Sequence, residues 1–417
     1  MDEPKGLKKI LSVLGPGLIT GASDDDPSGI ATYSQAGAGF GLATLWTALI
    51  TFPLMAAIQE MCARIGIVTN EGLTGTLKKH YPKPILYLMM VFSFPAIVLN
   101  IGADIQGMGA VANLLLPKVP TFAFSIIITA VILFCIIKFP YRKLAAILKW
   151  LCITLFLYII VPFLVNTDWL AVLKSTVIPT IHLNKEFFSI LTAILGTTIS
   201  PYLFFWQASM EVEDRAKKGK YLVVNKKVIN DMKFDVDFGM LSSNVVMFFI
   251  ILTTGTVLFS AGITQIDTVE QAAKALEPIA GKLAYVIFTV GVIGTGFLAI
   301  PVLAGTLSYI LAETFGWEQG LDKKFHEAKG FYITIIVSLL LGLSMDFLGI
   351  SPIKALILTA ILYGVSAPVM IGVILHICNN KKVMKNYTNT KLSNTLGIIT
   401  FIIMTISAFA LLYFQFF

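Results

Sequence analysis

The sequence contains few charged residues. Only 13% of its 417 residues are Asp, Glu, Lys or Arg, whereas 56% are hydrophobic, and the mean hydropathy is +0.83. A soluble globular domain carries about 25% charged residues. The shortage of charge therefore excludes an ordinary soluble protein and indicates an integral membrane protein.

Cysteine and histidine are also scarce, and their spacing defines no site. The four cysteines lie in or beside apolar segments without a CxxC pair, which argues against a disulfide framework or a cysteine metal site and favours small buried side chains. None of the four histidines falls in the middle of a predicted membrane span, and no HExxH sequence is present. A histidine metal site and a zinc hydrolase are therefore not expected.

Long apolar runs, by contrast, are abundant. A helix that crosses a bilayer needs about 20 apolar residues, and runs of this kind predict eleven spans within a single transmembrane domain, residues 1–417. The spans, numbered one to eleven, lie near 12–39, 42–63, 84–116, 121–138, 144–165, 187–210, 239–261, 283–312, 331–349, 354–377 and 394–416. In the loop 211–238, the part Val223–Phe238 is expected to form an interfacial helix that leads into span seven.

The basic residues are distributed unequally among the predicted loops. If the N-terminus is cytoplasmic and eleven spans alternate, 25 of the 31 Lys and Arg residues fall on the cytoplasmic side. This bias predicts a multi-pass protein of the cell membrane with the C-terminus outside. It also accounts for the net charge of +7 without a nucleic-acid partner.

Span one contains acidic residues and a proline where a membrane helix should be continuous. Asp24, Asp25 and Asp26 directly precede Pro27. A charge at bilayer depth costs at least about 2.5 kcal/mol and is retained where it faces a cavity or a ligand. Because proline has no N–H, the carbonyl of Ser23, four residues earlier, loses its helical partner. A free carbonyl beside a carboxylate suits a hard cation, so we predict a helix that is broken around a metal ion.

Span six has a matching break. Pro201 frees the carbonyl of Thr197 by the same four-residue rule, although an ordinary proline kink is the alternative interpretation. Two matched breaks five spans apart predict a five-plus-five inverted repeat whose broken helices meet at the membrane midplane. The expected parts are repeat one over 12–165, repeat two over 187–377 and an additional helix over 394–416.

The polar residues near these breaks have more than one interpretation. Asp26 is the preferred metal ligand. Asp24 and Asp25 either join it as ligands or cap the second half of span one, because a helix N-terminus favours acids. In span three, Asp104 and its neighbour Asn100 belong either to a proton or coupling pathway or to a hydrogen-bonded structural site.

Other charged residues lie near the inner ends of spans. Glu60 and Arg64 have the spacing of an ion pair on one face of a helix. Glu211, Glu213 and Glu313 are expected to be solvated. Neither set is a candidate metal site.

Several motifs resemble those of the Nramp family of divalent-metal transporters. GPG at 15–17 and DPSGIAT at 26–32 resemble the family's first helix, in which GPG precedes DPGNWAT. QEMCARIGIVT at 59–69 is similar to the family's QSLSARLGIVT, and 305–317 resembles the end of its eighth helix. The resemblance covers spans one to ten. It implies an all-α, LeuT-like inverted-repeat fold with helices 1 and 6 broken around a metal site.

The resemblance also implies roles for single residues. The family's ligand Asp falls on Asp26, and its two carbonyl donors fall on Ser23 and Thr197. Its helix-three Asp falls on Asp104, whereas two neighbouring acids of that helix are absent here. The incomplete acidic pathway leaves proton symport and uniport both open.

Three positions depart from the family pattern and change the expected chemistry. Gly29 replaces a ligand Asn, Ser200 replaces the Met that donates sulfur, and Tyr202 replaces a His. A thioether favours softer metals such as Mn²⁺, Fe²⁺ or Cd²⁺. The ligands left here are all oxygen, with the Ser200 hydroxyl and Asp25 as additional donors, and Mg²⁺ needs few protein ligands because it keeps several waters. The sequence therefore resembles the Nramp-related magnesium transporters.

These observations predict a secondary-type transporter that moves Mg²⁺ or Mn²⁺, with Fe²⁺ as a further candidate, by alternating access. We expect a monomer in the lipid bilayer, with no enzyme activity, no cofactor and no nucleic-acid partner. The alternative is a Na⁺-coupled symporter for a small organic solute, such as an amino acid, on the same fold. A channel or a membrane enzyme is a third interpretation, but neither a ring of identical segments nor a nucleophile–base set is found in the sequence.

Overall fold

The computed structural model describes residues 15–140, 143, 151–217 and 224–416, and the regular structure in these residues is helical. In chain order the α-helices are α1 (Pro16–Asp24), α2 (Pro27–Phe40), α3 (Trp46–Thr69), α4 (Leu73–His80), α5 (Lys83–Leu115), α6 (Thr121–Lys138), α7 (Leu157–Leu164), α8 (Trp169–Val177), α9 (Lys185–Thr198), α10 (Pro201–Lys217), α11 (Lys226–Thr254), α12 (Val269–Ala273), α13 (Glu277–Ala280), α14 (Ala284–Phe315), α15 (Lys329–Leu343), α16 (Pro352–Asn379), α17 (Lys381–Met384) and α18 (Lys391–Phe416).

Within the described residues, nine helical stretches are long and apolar enough to cross a membrane. They are Trp46–Thr69, Lys83–Leu115, Thr121–Lys138, Lys185–Ala216, Lys226–Phe259, Ala284–Phe315, Lys329–Phe347, Pro352–Asn379 and Lys391–Phe416. Predicted span one is not among them because α1 has 9 residues and α2 has 14. The first residues of predicted spans one and five, 12–14 and 144–150, lie outside the described residues. The all-α polytopic class is confirmed, and the count of eleven spans stays a prediction.

Both predicted helix breaks are present. Asp25 and Asp26 separate α1 from α2, and Ile199 and Ser200 separate α9 from α10. Each second half-helix begins with a proline, at the position where the missing N–H costs no helical hydrogen bond. The prolines therefore end one helix and begin the next, as the sequence predicts.

Close contacts between helices surround the breaks. Gly196 of α9 faces Gly364 of α16 so closely that a Cβ on Gly196 would overlap the backbone of Ala360 and of Gly364. Small residues at such a crossing let two membrane helices approach backbone to backbone. The first half of broken span six is thus packed directly against α16.

The outer helices present apolar side chains to the surroundings. Phe134 of α6 is 60% exposed and Phe409 of α18 is 67% exposed. Large exposed apolar surfaces are rare on soluble monomers, and a lipid-facing surface accounts for them. These faces are therefore in contact with the lipid bilayer.

Near the inner span ends, the structure differs from two of the predictions. The predicted Glu60–Arg64 ion pair is not formed, because Glu60 lies 3.7 Å from Lys233 and Arg64 donates to Asn389 at 2.5 Å. The helix predicted over Val223–Phe238 begins, in the described residues, at Lys226 and is the first part of α11, which continues to Thr254 without interruption. Residues 218–223 lie outside the described residues.

Candidate metal site

Asp26 lies at the first break with its carboxylate buried. Its side chain caps α2 by accepting the N–H of Gly29 at 2.7 Å, and its other oxygen accepts the Asn100 amide at 3.0 Å. The residue is 2% exposed. The prediction that Asp24 and Asp25 cap this helix is wrong, because the residue directly before Pro27 is the one that reaches the free N–H groups of the first turn.

Asn100 is oriented by a neighbour that the sequence did not reveal. Thr359 of α16 donates its hydroxyl hydrogen to the Asn100 side-chain oxygen at 2.9 Å, so the amide NH₂ faces Asp26. Thr359 is a single hydroxyl in a long apolar span and gives no signal in the sequence. The Thr359–Asn100–Asp26 chain connects α16, α5 and the first break, and a coupling role for Asn100 stays a prediction.

Asp24 and Asp25 turn away from Asp26. The Ser243 hydroxyl of α11 lies 2.7 Å from a carboxylate oxygen of Asp24 and 3.1 Å from one of Asp25. Among the described residues, no group of three or more His, Cys, Asp or Glu side chains is arranged to hold a metal ion. The three adjacent carboxylates therefore do not form one cluster, and the role of Asp25 as a ligand stays a prediction.

The two carbonyls that the prolines were predicted to release both accept hydroxyl groups. Tyr202 donates to the carbonyl of Ser23 at 3.0 Å. Ser200 donates to the carbonyl of Thr197 at 2.5 Å, and it also lies 3.1 Å from the carbonyl of Gly196. The hydroxyl hydrogen of Ser200 thus points back to its own helix end.

The two breaks lie against each other. The hydrogen bond from Tyr202 to Ser23 joins α10 to α1, and Tyr33 of α2 lies 3.2 Å from the Thr198 hydroxyl of α9. A Cβ on Gly29 would lie 3.3 Å from the Thr197 hydroxyl. The backbone of α2 therefore packs closely on α9, and position 29 has little room for the Asn of the family motif.

Asp104 of α5 is buried beside this junction. It is 0% exposed, and neither carboxylate oxygen meets hydrogen-bond geometry with a described residue. It lies one helical turn after Asn100, which donates to Asp26. The backbone N–H of Ser28 nevertheless faces this carboxylate, so the hydrogen-bonded structural acid and the coupling role both stay predictions.

A second polar chain begins at α1 and runs along α10. Thr20 donates to Gln207 at 2.5 Å, and the Gln207 amide donates to Glu211 at 3.0 Å. Glu211 is 6% exposed, so the expectation that it is solvated is wrong. The i,i+4 spacing of Gln207 and Glu211 was the available signal.

A known protein family matches this chain over nearly its whole length. The family model described as Natural resistance-associated macrophage protein-like (Nramp) matches residues 17–414. The chain belongs to the Nramp family. Members of this family are metal transporters and not enzymes. The resemblance seen in the sequence motifs and the prediction that the chain is not an enzyme are therefore confirmed.

Relatives of this Nramp chain match it over most of their length. The Divalent metal cation transporter MntH of Caldanaerobacter subterraneus subsp. tengcongensis is 26% identical, over 94% of this chain and 90% of the relative. The Divalent metal cation transporter MntH of Bacillus subtilis is 24% identical, over 93% of this chain and 88% of the relative. The similarity therefore spans the whole membrane domain.

Solved structures share the fold of this Nramp chain. The Eremococcus coleocola manganese transporter, in complex with an aromatic bis-isothiourea substituted compound, superposes with a TM-score of 0.77 at 18% identity, covering 97% of this chain and 87% of that one. MhsT in complex with L-phenylalanine superposes with a TM-score of 0.57 at 13% identity, covering 96% of this chain and 97% of that one. At these identities the likeness concerns the fold alone, and it confirms the predicted all-α, LeuT-like fold class.

Proposed function

We propose that this chain moves divalent metal cations across the cell membrane by alternating access, and that the metal ion is the substrate rather than a resident cofactor. The observation that carries the proposal is the buried carboxylate of Asp26, which lies where the two broken helices meet. Burying a carboxylate at bilayer depth costs free energy unless a ligand binds it or it faces a water-filled cavity. The relatives that match the whole domain are metal cation transporters by name.

The proposed ligands are the Asp26 carboxylate and the carbonyls of Ser23 and Thr197. Both oxygens of Asp26 accept neutral N–H donors, and each carboxylate oxygen has a second lone pair that remains for a cation. Each of the two carbonyl oxygens accepts one hydroxyl hydrogen and likewise keeps a second lone pair for the ion. The oxygen of the Ser200 hydroxyl is the proposed further ligand, and Asp25 joins only after turning from Ser243.

We propose Mg²⁺ or Mn²⁺ as the favoured ions, with Fe²⁺ as a further candidate. All the proposed ligands are oxygen atoms, which hard cations prefer, and no thioether stands at position 200. Asp104 and Asn100 are the proposed coupling residues if protons move with the metal. The organic-solute alternative lacks support at the site, where three buried carboxylates would repel the carboxylate of an amino acid.

Flux into proteoliposomes tests the proposal. The wild type, Asp26→Ala and the control Asp267→Ala, which changes an exposed loop carboxylate, are compared for uptake of Mg²⁺, Mn²⁺ and Cd²⁺. We expect saturable Mg²⁺ and Mn²⁺ uptake that Asp26→Ala abolishes and Asp267→Ala leaves intact.

Unchanged uptake in Asp26→Ala would show that Asp26 does not bind the transported ion. Strong selectivity for Cd²⁺ over Mg²⁺ would contradict the proposed preference for hard ions. A pH-sensitive dye trapped in the vesicles distinguishes proton symport from uniport in the same experiment. Equal thermal stability of the variants excludes misfolding as the cause of lost uptake.

A further inference from the structure

The chain between α7 and α9 is apolar although it lies outside the predicted membrane spans. Residues 169–183 separate Asp168 from Asn184, and Lys174 and His182 are the only titratable side chains among these 15 residues. The first nine of them form α8. We call residues 169–183 the apolar connection.

α8 presents most of its side chains to the surroundings. Val172 is the residue of α8 that is buried. Leu170, Leu173 and Val177 are spaced by three and four residues, so they lie on one face of the helix, and all three are exposed, Leu170 by 77%. Further exposed aliphatic side chains follow the helix at Ile178, Ile181 and Leu183. The described part of the chain therefore leaves a row of aliphatic side chains uncovered, and a contiguous apolar surface of this kind marks an interaction site.

The exposed face of α8 is joined to the apolar surface of α7. α7 belongs to predicted span five, and its last residues, Phe163 and Leu164, are exposed. The ring of Trp169, the first residue of α8, lies against the ring of Phe163 with a centroid distance of 4.7 Å. Tryptophan is enriched where the apolar core of a membrane meets the headgroups. The face of α8 thus continues the surface of a helix from a predicted membrane span.

The apolar connection is too short to cross a bilayer. At 1.5 Å per residue, the nine residues of α8 extend for about 14 Å, whereas the hydrocarbon core is about 30 Å thick. Pro179 follows the helix, and Ile178 before it has extended backbone angles, as a residue before proline prefers. A short helix with one apolar face is typical of a segment that lies in the plane of the membrane surface. The long stem of Lys174 allows its ammonium group to reach the headgroups from such a position.

The other side of the apolar connection contacts the helices that carry the proposed ion site. The ring of His182 lies 5.9 Å from that of Phe40, the last residue of α2, and 5.3 Å from that of Phe187 in the first turn of α9. The indole of Trp46 in α3 donates to the carbonyl of Thr180 at 3.3 Å. The apolar connection therefore contacts the ends of α2 and α9 that lie away from the two breaks.

We propose that the apolar connection lies in the membrane leaflet on the predicted outer side, with Leu170, Leu173 and Val177 among the acyl chains next to the headgroups. Its partner is a lipid surface. Through His182 the apolar connection fixes the depth of α2 and α9 relative to that surface. The proposal concerns the membrane contact of the protein and does not depend on which ion is transported.

Fluorescence quenching measures the depth of the apolar face. The full-length protein, with its native cysteines replaced by alanine and an unchanged melting temperature, is placed in nanodiscs of phosphatidylcholine and phosphatidylglycerol that hold one chain each. Leu170→Cys and Leu173→Cys are labelled with an NBD fluorophore, and Glu270→Cys, at an exposed position of another predicted outer loop, is the matched control.

The quenchers are lipids brominated near the headgroup and iodide in the water. We expect brominated lipid to lower the emission at positions 170 and 173 by about twofold, because an interfacial helix buries its apolar face below the headgroups. Iodide should have little effect at these two positions. The label at position 270 should respond to iodide and not to brominated lipid.

Equal quenching by iodide at all three positions would place the face of α8 in water and refute the proposal. Quenching by iodide that disappears when two chains share a nanodisc would assign the face to contact between two copies, which also overturns the proposal. Neither result depends on transport, so a failure of the proposed function, seen as Mn²⁺ uptake that does not require Asp26, is a separate outcome.

His182→Ala tests the link to the half-helices. We expect hydrogen–deuterium exchange to rise severalfold in residues 36–40 and 185–190, because two ring contacts are lost, while a label at position 173 stays quenched by brominated lipid. His326→Ala, which removes an exposed histidine elsewhere, is the control. Unchanged exchange in His182→Ala would show that the apolar connection does not fix these helix ends.

Discussion

At the level of a single residue, Asp26 caps a helix and is also the proposed metal ligand. It caps α2 through Gly29 and is the carboxylate closest to Pro27. Capping occupies one lone pair of one oxygen, and Asn100 occupies one lone pair of the other. Metal binding and helix capping are thus compatible, and the second half-helix keeps its start during either process.

The sequence predicted the role of a single residue where that role depends only on its near neighbours in the chain. Proline removes the partner of the carbonyl four residues earlier, which correctly selected Ser23 and Thr197 as carbonyls that lack this helical bond. It did not reveal that Tyr202 donates to the first of them. That contact depends on how α10 crosses α1, and no local rule contains this information.

The hydroxyl at position 200 should set the choice between hard and soft ions. We expect Ser200→Met to increase uptake of Cd²⁺ relative to Mg²⁺ severalfold, because it restores a thioether donor. Ser200→Leu has similar bulk without sulfur and is the matched control. Competition of Cd²⁺ against Mg²⁺ uptake in proteoliposomes measures the preference.

The same shift in both variants would assign the effect to side-chain volume. An absence of any shift in Ser200→Met would show that position 200 does not contact the ion. Either result would weaken the proposed ligand set around Thr197.

At the level of helices, apolar length predicted most elements because the bilayer dictates it. α3, α5, α6, α14, α15, α16 and α18 lie close to their predicted spans. Apolar length did not predict where α11 begins. Lys226 to Phe238 are too polar to count as a span, yet they are held in one continuous helix that packs on α1 and α3.

The crossing of α9 and α16 should tolerate no added side chain. Gly364→Ala would place a methyl group against the backbone carbonyl of Thr192, and overpacking of this kind costs about 1–3 kcal/mol. We expect a lower melting temperature and reduced uptake, because α9 carries Thr197. Thermal unfolding in detergent, followed by uptake measurements, tests both effects.

Gly372→Ala on the same helix is the control. The nearest atom to its new methyl group would be a ring carbon of Phe401 at 3.3 Å, and Ala favours a helix over Gly by about 0.5–1 kcal/mol. Equal destabilisation by both substitutions would mean that the close Gly196–Gly364 contact contributes no particular stability.

At the level of the whole molecule, the last helix is fixed to both halves of the chain. Arg64 of α3 donates to Asn389 at 2.5 Å and lies 3.4 Å from Ser393 of α18. Farther along, Thr192 of α9 and Ser407 of α18 are 2.8 Å apart. The predicted status of this helix as an addition outside the two repeats, 12–165 and 187–377, stays a prediction, but its contacts make it part of the packed body.

The direction of the chain in the membrane is a further prediction of the charge count. With eleven spans and a positive-inside bias, we expect a C-terminal alkaline phosphatase fusion to be active and a C-terminal green fluorescent protein fusion to be dark in bacterial cells. N-terminal fluorescent protein fusions should be bright. A fluorescent C-terminal fusion would require an even number of spans.

The hydroxyl groups of Tyr202 and Ser200 hold the two released carbonyls in place when no ion is bound. Each of these oxygens accepts one hydrogen and keeps one lone pair, so in the proposed site a cation would share both oxygens with a hydroxyl group. The polar groups of the two breaks are thereby satisfied inside the apolar bundle, and an empty site would not leave two bare carbonyls buried.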